Sequence, residues 1–166
     1  ETTTQWRDHR QPNRQDDGRR GPRGVDAYKR ICGRKRHITV DTLGLLLRVV
    51  VHPADWQDKT GVYLLLPLLA RSFPELNIVW ADNGYRSYAI RDWVSEHLSA
   101  VFVWVKRQLP FDGGRSMPKR WVVERTFGWL GRFRRLARDY ERLAKTLEGW
   151  HWVAALALLL QNHYSS

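Results

Sequence analysis

Apolar residues follow strand and helix periodicities from Val25 to the end of the chain, but not before it. Residues 36–41 contain the β-branched run Ile38-Thr39-Val40, and residues 45–52 are nearly continuously apolar. Thr42-Leu43-Gly44 lies between them, which predicts two strands joined by a turn. The same criteria predict further strands over 77–81 and 100–106 and helices over 60–71 and 87–98. This order predicts an α/β fold in which a mixed sheet is flanked by helices.

Two more helices are predicted after the last strand. The first is expected over 118–140, because apolar or small residues recur there at spacings of three and four, at Val122, Thr126, Trp129, Phe133, Leu136 and Tyr140. The second is expected over 146–164. No apolar run reaches the ~18–20 residues that a membrane span needs, so we expect no membrane association.

Residues 1–24 differ from the rest in composition, since Trp6 is their only large apolar side chain. A segment that buries so little apolar surface does not offset the entropy lost on ordering it. We therefore expect residues 1–24 to be disordered and residues 25–166 to form one domain.

The charge balance indicates a polyanionic partner. Lysine and arginine number 28 against 17 acidic residues, giving a net charge of +11. Such a surface attracts nucleic acid because each neutralised phosphate releases counterions, although a basic protein without that role stays an alternative. The single cysteine, Cys32, excludes an internal disulfide and a cysteine-rich zinc site.

Two carboxylates are candidate metal ligands. Asp82 ends a predicted strand, where open α/β sheets bind ligands, although an acid before Asn-Gly is also a common turn former. Glu124 lies on the predicted long helix, and its face also carries Arg120, Gly128, Gly131 and Arg135. Each glycine inside a helix costs about 1 kcal/mol relative to alanine. These two suggest close approach of DNA or metal, or tight packing against another element.

Oxygen ligands of this kind suit Mg²⁺ or Mn²⁺, and two such ions can activate the attacking and leaving oxygens of a phosphodiester. The histidines, among them His37 and His52, are scattered along the chain and are expected to be structural. Basic side chains supply a candidate DNA surface at Arg34, Lys35, Arg36, Arg120, Arg125, Arg132, Arg134, Arg135 and Arg138. A solvated charged face is the alternative interpretation.

Three strings carry a family resemblance: GPRGVDAYKRICGRKRHITVDTLGLLLRVVVHPADWQDKTG, IVWADNGYRS and PKRWVVERTFGWLGRFRRLARDYERL. They resemble the catalytic domain of bacterial insertion-sequence transposases, which have a DDE active site and an RNase H-like fold. The resemblance implies a DNA transposase that cleaves and joins phosphodiesters at insertion-sequence ends with Mg²⁺ or Mn²⁺. It also implies a homo-oligomer on DNA in the bacterial cytoplasm.

The resemblance assigns roles to individual positions. Asp82 matches the second catalytic aspartate and Glu124 the catalytic glutamate, so both would be metal ligands, and Arg120 matches the arginine that precedes the glutamate by four. The family often has a tyrosine and a lysine where this chain has Met117 and Gly131. Arg132 and Arg135 are candidates for the basic role of that lysine.

The sequence motif that carries the family's first catalytic aspartate is absent from this chain. In the family it lies in a string resembling Ile-Ile-Asp-Ser-Gln before the GPRG segment, where this chain has Trp6-Arg7-Asp8 and the residues after it. Codons can be chosen for 6–17 that spell Gly-Gly-Ile-Ile-Asp-Ser-Gln-Ile-Val-Lys-Thr-Thr when read one nucleotide later. The hypothesis is that residues up to about Asp17 are translated out of frame.

On this hypothesis the first strand of the RNase H-like sheet is expected to be missing or disrupted. Asp8, Asp16 or Asp17 could substitute for the missing carboxylate, but no strand-forming pattern is evident around them. We therefore expect very weak or absent cleavage. The alternatives are a catalytically dead DNA-binding remnant of a transposase and a host nuclease of the same fold.

Overall fold

The computed structural model of this chain describes residues 2–8, 21–26, 30–105 and 118–164, with side chains described for 21–26, 30, 32–82, 84–105 and 121–161. The strands in these ranges are β1 (Thr2–Asp8), β2 (Gly24–Asp26), β3 (Ile31–Asp41), β4 (Leu46–Pro53), β5 (Ile78–Asp82) and β6 (Val101–Val105). The helices are α1 (Asp58–Ser72), α2 (Tyr88–Leu98), α3 (Pro118–Leu130), α4 (Arg134–Ala137) and α5 (Ala144–Tyr164). A 3-10 turn, Asn83–Tyr85, follows β5.

The strands form a mixed sheet in the order β2-β3-β1-β5-β6, and β4 also pairs with β3. Strand β3 runs antiparallel to β1, β2 and β4, whereas β1, β5 and β6 run parallel to one another. The predicted turn between β3 and β4 is confirmed. The Asp41 carboxylate closes it by accepting hydrogen bonds from the backbone N–H groups of Leu43 at 2.9 Å and Leu45 at 2.8 Å.

The expectation that the first strand is missing or disrupted was wrong. Thr2–Asp8 lies in the middle of the sheet, antiparallel to β3 and parallel to β5. Between two strands, an extended segment satisfies both neighbouring rows of backbone N–H and C=O groups, whatever its side chains. The run from Thr2 to Thr4 is also β-branched, which favours extended backbone even in a segment with so few large apolar residues.

Helices cover both faces of the sheet, as predicted. On one face, Ile38 and Val40 of β3 pack with residues of α3, α4 and α5, including Val123, Leu136 and Leu147. The other core lies between β5, β6 and the helices α1 and α2. The predicted strands and the α1, α2 and α5 helices are confirmed within a few residues at their ends, and β2 was not predicted. No helix in the described ranges is long and apolar enough to cross a membrane.

The long helix predicted over 118–140 was also wrong. It ends at Leu130, and after a turn over 131–133 a short helix, α4, begins at Arg134. Glycine is a poor helix former, so breaking the helix at Gly131 costs little free energy. The tertiary structure then favours it, because Leu136 is buried in the core and its carbonyl accepts a hydrogen bond from Arg36 at 2.8 Å. Gly131 and Arg135 therefore do not continue the helical face of Glu124.

Candidate active site

Asp82 is the last residue of β5 and is half-buried. Strand β5 pairs in parallel with β1 on one side and β6 on the other, and Asp82 lies at the carboxyl ends of β5 and β6, where it pairs with Val105. This is the edge at which open α/β sheets bind their ligands. The sequence prediction placed Asp82 correctly on the strand end.

Glu124 lies in the middle of α3, and its side chain is exposed. Helix α3 packs against β1 and β3 through the buried residues Val123 and Phe127, which leaves Glu124 on the outer side. The Thr126 hydroxyl anchors the helix further by donating to the Gly44 carbonyl at 2.9 Å in the β3–β4 turn. Among the described residues, a beta carbon added at Gly128 would meet nothing within 4 Å. The interpretation of this glycine as a tight packing site is therefore wrong.

The two carboxylates fit a hard divalent cation by their chemistry, since Mg²⁺ and Mn²⁺ prefer oxygen ligands and keep several waters. Among the described side chains, no group of three or more histidine, cysteine, aspartate or glutamate residues could hold a metal ion. A third protein ligand would have to come from elsewhere in the chain. Strand β1 is the neighbouring element, and its register places Thr4 opposite Ala81, the residue before Asp82.

The basic tract on β3 does not form a DNA surface, which corrects that prediction. Arg34, Lys35 and Arg36 are only 2%, 7% and 5% exposed. Successive side chains of a strand point to opposite faces. Accordingly, Arg34 and Arg36 bond to the segment after α3, and Lys35 points to the α1 side.

Each of these cations has partners inside the protein. Arg34 donates to both carboxylate oxygens of Asp139 at 3.1 Å and to the carbonyls of Pro22, Glu141 and Arg142. Lys35 Nζ lies 2.9 Å from Asp58 and 3.6 Å from Asp26, and donates to the Trp56 carbonyl at 2.7 Å. A buried charge is tolerated only when it is paired in this way.

The arginines predicted on the last helices divide into two groups. Arg125 is half-buried, with its guanidinium 4.4 Å from the Trp121 ring and 4.7 Å from the Trp129 ring, and it donates to the Leu43 carbonyl at 2.7 Å. Its role in the described structure is to hold the β3–β4 turn. By contrast, Arg132 and Arg135 are exposed, although Arg135 Nη1 also lies 3.3 Å from Glu141 Oε1. The Arg120 side chain, like Asp16 and Asp17, lies outside what the structure describes.

Sequence reasoning missed a buried cluster beside Asp82. His37 Nδ1 lies 3.0 Å from the Tyr85 hydroxyl, and His37 Nε2 lies 2.8 Å from His52 Nε2. Burial, then His52 and Lys35, lower the pKa of His37 to about 3. Burial also lowers the pKa of His52 and raises the pKa of Tyr85 well above its ordinary value. The available signal was that His37 and His52 lie on the two strands of one predicted hairpin.

Comparisons with known proteins agree with this architecture. Over residues 2–160 the chain matches the family model described as the transposase DDE domain. It is 36% identical over 138 residues to a protein named as a transposase for insertion sequence element IS402 from Burkholderia cepacia. That match covers 75% of this chain and 60% of the relative, so the chain spans well under two thirds of the relative's length.

Among solved structures, the catalytic core domain of BIV integrase is similar with a TM-score of 0.50 and 20% sequence identity. The similarity covers 76% of this chain and 75% of the integrase chain, and it supports the fold alone. The fold is thus the RNase H-like mixed sheet flanked by helices. This chain belongs to the DDE transposase family.

Proposed function

We propose that this domain acts on DNA as an insertion-sequence transposase, through metal-dependent cleavage and strand transfer at the element's ends. The observation that carries the proposal is the placement of Asp82 and Glu124. Asp82 ends a central parallel strand, and Glu124 lies outward on the helix that packs over the neighbouring strands β1 and β3. In the family resemblance, these positions are those of the second and third catalytic carboxylates.

Asp82 and Glu124 would bind Mg²⁺ or Mn²⁺, which when bound supplies charge stabilisation for in-line attack on a phosphodiester. The protein's own part is to fix the two carboxylates on rigid elements and to attract the DNA backbone. Arg132 and Arg135, exposed just beyond α3, are the described candidates for phosphate contacts. DNA ends and target DNA would be the partners, in a homo-oligomer assembled on DNA in the bacterial cytoplasm.

Cleavage by this chain is expected to be weak because a third carboxylate is needed. The register pairs Thr2–Thr4 of β1 with Val79–Ala81 of β5, and β1 ends at Asp8, opposite Lys35. The out-of-frame hypothesis accounts for the absence of the family string, with its aspartate, from residues 6–17. It predicts that the codons for residues 6–17 spell Gly-Gly-Ile-Ile-Asp-Ser-Gln-Ile-Val-Lys-Thr-Thr in the next frame, and DNA sequencing decides the point.

A cleavage assay on supercoiled DNA and on insertion-sequence ends, with and without Mg²⁺, tests the function itself. The chain should be compared with a version in which residues 6–17 carry the frame-corrected string. We expect clear cleavage from the corrected chain, lost on Asp82→Asn or Glu124→Gln. The exposed α2 changes Asp92→Asn and Glu96→Gln are matched controls and should leave cleavage intact.

The second candidate is a catalytically dead remnant that binds DNA and interferes with an intact transposase by forming mixed complexes. The absence of the family string that carries the first catalytic aspartate favours it, since one metal ligand is then missing. DNA binding without nicking in both the original and the corrected chain would support the remnant. Nicking that survives both Asp82→Asn and Glu124→Gln would contradict the proposed active site.

A further inference from the structure

A continuous chain of buried hydrogen bonds runs from the turn after Asp82 to the β3–β4 hairpin. The Tyr85 hydroxyl lies 3.0 Å from His37 Nδ1, and His37 Nε2 lies 2.8 Å from His52 Nε2. The chain ends where His52 Nδ1 lies 2.8 Å from the Pro53 carbonyl oxygen. Tyr85, His37 and His52 are each at most 2% exposed, so water does not compete for these contacts.

The proton positions in this chain are determined by its last acceptor. A carbonyl oxygen can only accept, so His52 must carry its proton on Nδ1. With a neutral imidazole, His52 Nε2 is then an acceptor, and His37 must donate to it from its own Nε2. His37 Nδ1 is left as an acceptor, so the Tyr85 hydroxyl donates to it. The lowered pKa values of both histidines are consistent with these neutral forms.

Packing holds the rings of this chain in place. The His37 and His52 rings stack with centroids 4.8 Å apart, and Trp56 stacks on His52 at 5.5 Å. Helix α1 presses on the other side, where a beta carbon at Gly61 would overlap the His37 ring. An imidazole in this setting cannot rotate to another partner, so the direction of its Nδ1 lone pair toward Tyr85 is fixed.

The link to the candidate active site is the short 3-10 turn. Asp82 ends β5, and Tyr85 is the last residue of the turn that follows at once. Gly84 is exposed, with nothing within 4 Å of the position of its missing side chain, whereas Tyr85 is buried. The turn is therefore held at two points, by the β5 ladder before it and by the Tyr85 side chain after it.

We propose that Tyr85, His37 and His52 form the positioning device of the active site: their hydrogen-bonded chain fixes the turn after Asp82 and so sets the direction in which the Asp82 carboxylate meets its metal ion. The inference rests on the proposed function, because it takes Asp82 as a metal ligand. Tyr85 is a positioning residue here, since it acts through Asp82 and touches no reacting atom. Groups hydrogen-bonded directly to a metal ligand typically contribute about 10–100-fold to metal affinity, and we expect Tyr85, which acts through the turn, to lie at the lower end of that range.

Binding of Mn²⁺ alone to the whole chain, followed by electron paramagnetic resonance, tests the inference. Tyr85→Phe removes only the hydroxyl and should weaken Mn²⁺ binding about ten-fold while unfolding stays cooperative. Tyr88→Phe, an exposed tyrosine three positions later, is the matched control and should bind Mn²⁺ like the original chain. Equal Mn²⁺ affinity of folded Tyr85→Phe and the original chain would overturn the inference.

Asp82→Asn separates this failure from failure of the proposed function. If Asp82→Asn abolishes Mn²⁺ binding and Tyr85→Phe leaves it unchanged, only the positioning role is wrong. If Asp82→Asn leaves binding unchanged, the assignment of Asp82 as a ligand fails, and the positioning role fails with it.

Nitrogen-15 NMR of the imidazoles provides a readout that needs no metal and that packing alone would not produce. We expect His52 to carry its proton on Nδ1 and His37 on Nε2, with His37 Nδ1 shifted by the hydrogen bond from Tyr85. That shift at His37 Nδ1 should disappear in Tyr85→Phe and persist in Tyr88→Phe. Detection of His52 with its proton on Nε2 would contradict the chain.

Discussion

Arg34 on β3 and Asp139 after α4 form a buried ion pair across 105 positions of sequence, with Arg34 Nη1 lying 3.1 Å from each carboxylate oxygen. The same guanidinium binds the carbonyls of Pro22, Glu141 and Arg142. It therefore ties two separate segments, at Pro22 and at 139–142, to one strand. An arginine that the sequence indicates as a DNA contact is, in the folded protein, an internal cross-link.

Arg34→Met should destabilise the fold strongly without a specific effect on DNA binding. The change leaves several buried acceptors without their donor, and breaking a buried pair in this way typically costs about 3–5 kcal/mol. Urea denaturation at neutral pH measures the free energy of unfolding. The exposed Arg132→Met is the control and should stay within about 0.5 kcal/mol of the original chain. A small loss for Arg34→Met would mean that the pair is not formed.

The double change Arg132→Gln and Arg135→Gln should weaken DNA binding in a salt-dependent way. The slope of log affinity against log salt is negative, and each lost phosphate contact reduces its magnitude by about 0.9, so loss of both contacts predicts a reduction of about 1.8. Fluorescence anisotropy with labelled duplex DNA at several salt concentrations gives the slope. Arg71→Gln, exposed at the end of α1 on the other face of the sheet, should leave it unchanged. An unaltered slope in the double variant would remove these arginines from the DNA surface.

Gly61→Ala and Gly128→Ala should change stability in opposite directions, although both glycines lie inside helices. A methyl group at Gly61 overlaps the His37 ring, and overpacking of this kind typically costs about 1–3 kcal/mol. A methyl group at Gly128 meets open space, so the helix should gain up to about 1 kcal/mol. Thermal and urea denaturation of the two variants give the comparison. Stabilisation by Gly61→Ala would show that α1 does not press on His37.

Gly128→Ala also tests why a glycine is placed four residues after Glu124. If DNA approaches this face closely, the variant should be more stable yet bind DNA less tightly. Unchanged DNA affinity would mean that the glycine is not needed for the approach of DNA.

The fold should lose stability as the pH falls below the ordinary histidine pKa. Because the folded pKa of His37 is lowered to about 3, the unfolded chain takes up protons first as pH falls below 6.5. Stability from this group is thus fully present above about pH 6.5 and declines towards pH 3, by at most about 1.4 kcal/mol per pH unit. His52, whose pKa is also lowered, acts in the same direction.

Urea denaturation between pH 7.5 and 4.5 measures this slope. The charged groups that act on the pair are Lys35, which lowers both pKa values, and Asp58 and Asp55, which raise that of His52. A free energy of unfolding that does not change across this range would contradict the buried, neutral state of the two rings.

The local pattern of apolar and β-branched residues was sufficient to predict most of the sheet and its helices. β-branched apolar runs gave β3 to β6 because those segments are buried and their side chains favour extended backbone. The local pattern did not predict the break in the helix after Leu130, because the periodicity of the apolar positions continues through the break. The break is stabilised by Arg36, nearly a hundred positions earlier, whose side chain bonds the Leu136 carbonyl.

The sequence by itself determined the family and the positions of Asp82 and Glu124, because motif spacing and strand-end chemistry are local properties of the chain. Only the tertiary structure decided which charged residues are available to DNA. In the tract from Arg34 to His37, alternate side chains enter opposite faces of a central strand, and their partners come from distant segments. Whether a cation is paired inside or exposed to phosphate depends on those partners, and composition carries no information about them.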